Sequence, residues 1–413
     1  MTTTDDKSSF DEPLVTSGPL LLNPSYARSK STVHDELRSF RICLKWWALD
    51  HSSPASITLS VATFLLLALI IPTATSLFLR PASSLSSASC SSSVSFNRLA
   101  QVSESGLAAI SFLTLAVFFR RYGLRQLLFL DSTLQDDSAF VRRAYARELH
   151  RAFKLLIFIL LPSFSVEFAH KILFFSSSSF AFSMTFPVFL RYMPWNSIFF
   201  LASLISWVYR TGVFLLVCVL FCLTCELQIL RFESFFKIFE ETSGDNQTCS
   251  SAGAIFQEHL RIKTQVFKTS HRYRIFIVAC LVTITISQLG ALMLVLLSKS
   301  NKNFCNSGDL VVCSVVQLSG FLMCLVGAAR ITHRAQRVVS IASRWHMALT
   351  SILSSTPDEQ GFESRQALVT YLQHNGGGIT LFGFALDRGL LHTIFAFEMT
   401  LVLWILSKVV VLA

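Results

Sequence analysis

Apolar residues along this chain gather into seven runs separated by polar and basic stretches. A helix crosses a bilayer with about 20 such residues, because lipid leaves every backbone polar group to find its partner within the helix. The runs fall at 55–79, 99–119, 153–175, 197–222, 275–298, 310–329 and 389–412. The pattern predicts an all-α, polytopic membrane protein with seven transmembrane helices, in one domain over 55–412. Residues 1–54 read as a flexible leader, with "VHDELRSFRICLKWW" a short amphipathic helix at the membrane surface. That leader lacks the apolar core of a secretory signal, and its early acids weigh against a transit peptide.

The long stretches between spans also carry helical spacing. "HLRIKTQVFKTSHRYRIF" places Leu260, Val266, Phe267 and Tyr273 on a stripe and runs into the fifth span. "ARITHRAQRVVSIASRWHMALTSIL" continues the sixth in the same way. Such helices must bury their apolar stripes outside the bilayer, on one another or on neighbouring subunits. "HNGGGIT" lacks the lysine and hydroxyl residue of a phosphate loop and reads as a flexible joint between a helix over 358–374 and the last span.

Charge sets the direction of the spans. The leader and the 120–154, 226–274 and 330–388 loops carry 27 lysines and arginines, against seven on the opposite side. Basic loops stay in the cytoplasm. The expected topology therefore has a cytoplasmic N-terminus, an outside C-terminus and long cytoplasmic helical extensions. The same distribution accounts for the net charge of +10 as an orientation signal and an attraction to membrane lipid, with no basic surface for nucleic acid. Only 15% of residues are charged, well below the roughly 25% usual in soluble proteins.

Ionisable residues within spans are the candidate functional groups, since they are costly there unless paired or hydrated. Glu167 and His170 share a face of the third span, and Arg210 lies near the middle of the fourth. Glu167 and Arg210 are candidate partners, and the three residues are candidates for the polar wall of a ligand pocket. Glu167 and His170 alone lack a third metal ligand, so no metal or other cofactor is expected. No nucleophile stands at local spacing from a base, which argues against an enzyme. Cys218, Cys222 and Cys225 in "CVLFCLTC" read as packing residues. Cys90 and Cys305 could pair on the outer side, and the sequon at Asn246 falls on the cytoplasmic side.

In the last span, Phe397, Leu401, Trp404, Lys408 and Val411 form one stripe at 100° per residue. Glu398 lies off that stripe and is expected to face a neighbouring helix. Lys408 either lines the outer mouth of a pore or snorkels to the headgroups.

Seven spans with an inward N-terminus and long helical loops resemble the insect gustatory and odorant receptor superfamily. The motif of that superfamily in its last span is threonine, tyrosine, five hydrophobics, glutamine and phenylalanine. Thr400 and the hydrophobics Val402 to Leu406 match it, while Leu401, Ser407 and Lys408 replace the other three. "RRYGLRQLLFLD", "LHRAFKLL", "SWVYRTGVFLLVCVLF", "EHLRIK", "SHRYRIF" and "ITLFGFALDRGLLHTIF" are similar to the plant gustatory-receptor-like proteins. The resemblance covers most of 40–412.

It implies a homotetrameric, ligand-gated cation channel whose last helix lines a shared pore, with a small-molecule ligand held in the outer half of the other spans. The pore-lining residues would be Leu401, Trp404, Ser407 and Lys408, the last opposing cations. The plasma membrane is the expected location, with endomembranes open. A secondary transporter or a non-conducting receptor is the alternative, although internal repeats are not evident and Pro162 in the third span is thin support for it. A G-protein-coupled receptor would run in the opposite direction, and a retinal protein would hold its lysine nearer mid-span than Lys408.

Overall fold

The computed structural model describes residues 44–45, 47, 49, 54–78, 87–122, 139–177, 195–242, 248–297, 304–352 and 359–410. Among the described residues, seven helices are long and apolar enough to cross a membrane. The first, α1, runs as Pro54–Phe64, a π-helical segment Leu65–Ile70, and Ile71–Phe78. Then follow α2 (Ser87–Arg121), α3 (Ala139–Ser177), α4 (Trp195–Thr242), α5 (Thr248–Leu297) and α6 (Phe304–Ile352). The shorter α7 (Glu359–His374) leads through a β-hairpin into α8 (Arg388–Val410).

Burial separates the roles of these helices. Within its apolar run α4 is buried on nearly every side, the pattern of a central helix. By contrast, α5 presents Ile275, Val282, Ile286, Leu289, Met293 and Leu296 outward in one helical stripe, an all-apolar face suited to lipid.

At the basic end of the bundle, α4, α5 and α6 extend well beyond their apolar runs and are joined there by α7. The expected burial of one extension on another is present at Val266 and Tyr273, whereas Phe267 of the same expected stripe is corrected: it is 67% exposed, because its position next to Val266 turns it to the opposite side of α5. Phe239 meets Trp345 edge-on at 5.5 Å, and Phe256 meets Tyr371 at 4.9 Å. Arg334 pairs with Glu233 at 3.0 Å, Arg330 pairs with Glu226, and Lys263 donates to Asn375 at 2.9 Å.

The glycine-rich segment departs from its expected role as a flexible joint. Its amides are held by side chains of two helices: Ile379 N donates to Thr332 Oγ1 at 3.2 Å and Thr380 N to Ser270 Oγ at 3.1 Å. A Cβ on Gly378 would lie 3.0 Å from Thr332, so the close approach of backbone to helix requires glycine there. One further residue, Ile379, leads into a hairpin, β1 (Thr380–Leu381) against β2 (Phe384–Ala385). The turn residues Phe382 (φ 49°) and Gly383 (φ 96°) are both left-handed, as a two-residue type I′ turn demands. Asp387 then caps α8, accepting the Leu390 amide at 2.8 Å.

Residues 33–43 and 46 of the leader's expected amphipathic helix and Asn246 lie outside the described residues, as do the side chains of Cys90 and Cys305, while Leu44 and Lys45 are helical.

Candidate functional site

Away from the basic end, α2, α3, α4 and α6 bring charged side chains into a common buried region. Arg210 on α4 pairs with Glu104 on α2 at 3.0 Å. Its second amino group donates to the Gln101 carbonyl at 3.1 Å and to Ser105 Oγ at 3.2 Å. Trp207 Nε1 donates to the other Glu104 oxygen at 3.0 Å. The carboxylate thus receives an ion pair and a hydrogen bond, the condition under which a charge survives burial.

The π-helical segment of α1 completes this corner. A π turn disturbs the regular backbone ladder and leaves carbonyls for outside donors. Ser105 donates to Ala68 O at 2.8 Å and Ser206 donates to Leu67 O. Arg210, Ser105 and the α1 backbone form one continuous hydrogen-bonded path.

The second half of the network joins α3 to α6. Lys171 Nζ lies 3.1 and 3.2 Å from the two oxygens of Asp309 and 3.2 Å from Glu167 Oε1. His170 Nδ1 stands 3.4 Å from Asp309 Oδ1. Glu167 and Lys171 are four residues apart and His170 is three from Glu167, so one face of α3 presents all three to α6.

The expected pairing of Glu167 with Arg210 is therefore corrected. Glu167 takes its cation from its own helix, and Arg210 takes the nearer carboxylate of Glu104. Sequence reasoning missed Glu104, Lys171 and Asp309. Glu104 was visible as an acid within the second run. Lys171 stands within the third run, next to His170. Asp309 immediately precedes the sixth run.

Asp309 also supplies the third ligand that a metal reading lacked. One ligand atom each from Glu167, His170 and Asp309 lies within 4.8 Å of the others. The Lys171 ammonium, however, bridges both carboxylates and takes the place a divalent cation would fill. These donors do not fit a metal while that lysine is in position.

A cavity beside the Arg210–Glu104 pair is lined by Glu104, Leu107, Arg210, Thr211, Phe214, Cys313 and Val316. It has room for about one water. An organic ligand would enter here only by parting these helices.

The last span has two distinct faces. Glu398, Leu401 and Ile405 are buried, at positions i, i+3 and i+7. Glu398 accepts a hydrogen bond from Thr285 on α5, as its expected position facing a neighbour requires. Leu401 and Ile405 pack with Ala291, Leu292 and Leu310. Trp404 and Ser407 are exposed together with Phe397, Thr400 and Leu403. Leu401 is thus corrected from the expected stripe: it packs into its own chain because it shares a face with Glu398. The side chain of Lys408 lies outside the description.

A family model described as "Protein of unknown function (DUF3537)" matches residues 35–361 and 350–397. The chain belongs to that family. No match is found among curated proteins.

Among solved structures, the chain is similar to the insect olfactory receptor OR5 from Machilis hrabei in complex with eugenol, with a TM-score of 0.57 and 11% identity over 90% of this chain and 99% of that one. For a second structure of OR5 from Machilis hrabei, the TM-score is 0.55 at 12% identity, over 89% and 98% of the two chains. The fold of this DUF3537 member is therefore similar to that of the insect olfactory receptor OR5, a multi-pass membrane fold with seven helices long and apolar enough to cross a bilayer among the described residues.

Proposed function

We propose that this protein is a gustatory-receptor-like subunit of a ligand-gated ion channel, assembled as a homotetramer whose α8 helices surround one pore. The observation that carries this reading is the uncovered face of α8. Thr393, Thr400 and Ser407 recur there at seven-residue spacing beside Phe397 and Trp404, and all are exposed. The outward face of α5 is wholly apolar over its run, as lipid requires, whereas that of α8 mixes hydroxyls with rings. A mixed face suits a water-filled path or a neighbouring copy better than acyl chains.

In this reading Trp404, Ser407 and Lys408 face the pore, and Lys408 near its mouth weakens any preference for cations. Glu167, His170 and Arg210 belong to the polar wall of the ligand site, reached when a small molecule displaces part of the paired network. The basic end lies in the cytoplasm, the plasma membrane is the proposed location, and the plant gustatory-receptor-like proteins are the proposed relatives. The overall likeness to a receptor solved with eugenol supports a small-molecule ligand.

Cysteine cross-linking tests the shared axis. Thr400→Cys and Ser407→Cys should give covalent dimers in native membranes above the wild-type background. Leu401→Cys, buried within one subunit, should not. Equal cross-linking at all three positions, or none at any, would remove the pore assignment.

A further inference from the structure

We infer that the hairpin between α7 and α8 is a membrane-surface anchor, whose rings at Phe382 and Phe384 enter the headgroup layer of the bilayer at the basic end. Both rings are strongly exposed, at 62% and 75%. Phenylalanine left that open to water is unfavourable, so a partner of apolar character is called for.

Two helices fix the depth of the hairpin. On one side, β2 ends only two residues before α8 begins at Arg388, where the last candidate span also begins. On the other, Ser270 of α5 donates to the Thr380 carbonyl, and the Arg274 guanidinium lies 5.1 Å from the Phe382 ring centre. The fifth apolar run starts at the next residue, Ile275, which is 67% exposed. Both neighbours of the hairpin therefore enter the apolar layer at its own level.

The hairpin is also held firmly. Ile379 and Leu386 flank it and are fully buried, and Leu386 N donates to Ile379 O at 2.8 Å. A pair of rings on a fixed mount can act as an anchor, whereas a loose loop would fold them away. The charge around them is complementary to anionic lipid: Arg274 beside Phe382, Arg388 at the start of α8, and Lys268 and Arg272 on the approach along α5. A guanidinium over a ring at this level offers one contact to phosphate and another to the apolar boundary.

Photo-cross-linking of the full-length protein decides the occupant. Phe384→p-benzoylphenylalanine would be reconstituted in vesicles of phosphatidylcholine and phosphatidylserine and irradiated. The expected product is a chain carrying one lipid mass, with several-fold less at Gln373→p-benzoylphenylalanine, an exposed position on α7. Covalent dimers of the chain would instead assign the rings to a second copy and overturn the inference. An unmodified chain would overturn it too, by leaving the rings in water. Neither result bears on the pore, which the α8 cross-links test separately.

Discussion

Glu398 on α8 is fully buried and accepts a hydrogen bond from Thr285 on α5, so a carboxyl group within the last span is tied to a neighbouring helix. This contact orients α8 about its axis. With Glu398 inward, Leu401 and Ile405 follow it, and Thr400, Trp404 and Ser407 turn away. The second Glu398 oxygen and both polar atoms of the Gln288 side chain are buried without hydrogen-bond partners among the described residues.

Removing the donor should destabilise this seam. Thr285→Val keeps the shape but leaves Glu398 unpaired, at a cost of about 1–3 kcal/mol. Thermal unfolding in detergent should show a lowered midpoint, and Thr285→Ser should recover most of it. An unchanged midpoint for Thr285→Val would mean that the bond does not hold α8.

Lys171 is the cation between Glu167 and Asp309. Lys171→Met strands two buried carboxylates and should cost about 3–5 kcal/mol. Adding Asp309→Asn removes one of the stranded charges and should restore part of the loss, since the two sites are directly coupled. The same denaturation assay measures both variants. A double variant as damaged as the sum of its parts would refute the coupling.

The docked glycine segment predicts a contrast between neighbours. Gly378→Ala must push against Thr332 and should cost about 1–3 kcal/mol. Gly376 faces open space, and Gly376→Ala should stay within about 0.5 kcal/mol of wild type. Hydrogen exchange should show faster opening at Ile379 and Thr380 in the first variant and no change in the second. Equal exchange in both would restore the flexible joint.

The seven spans were legible because crossing lipid imposes a long apolar run that few other structures need. The extensions were legible from stripes such as Leu260, Val266 and Tyr273. Pairing within the polar network was not. Charge type names possible partners, but the axial rotation of each helix chooses among them, and α2 offered Arg210 a carboxylate nearer than Glu167. Leu401 shows the same limit, because it lies between the two faces of α8 and the Glu398 bond selects its side. The hairpin escaped notice because two residues per strand are too few for a period-two pattern. Its turn depends on Phe382 adopting a left-handed conformation uncommon for phenylalanine.

The most direct test of the account is the arrangement of the full-length protein in lipid nanodiscs, seen by electron microscopy. The account predicts four copies, with α8 of each nearest the common axis, Thr400 and Ser407 facing it, and the α4–α7 extensions gathered at one end. A monomer, or an assembly with α8 on its periphery against lipid, would contradict the shared pore.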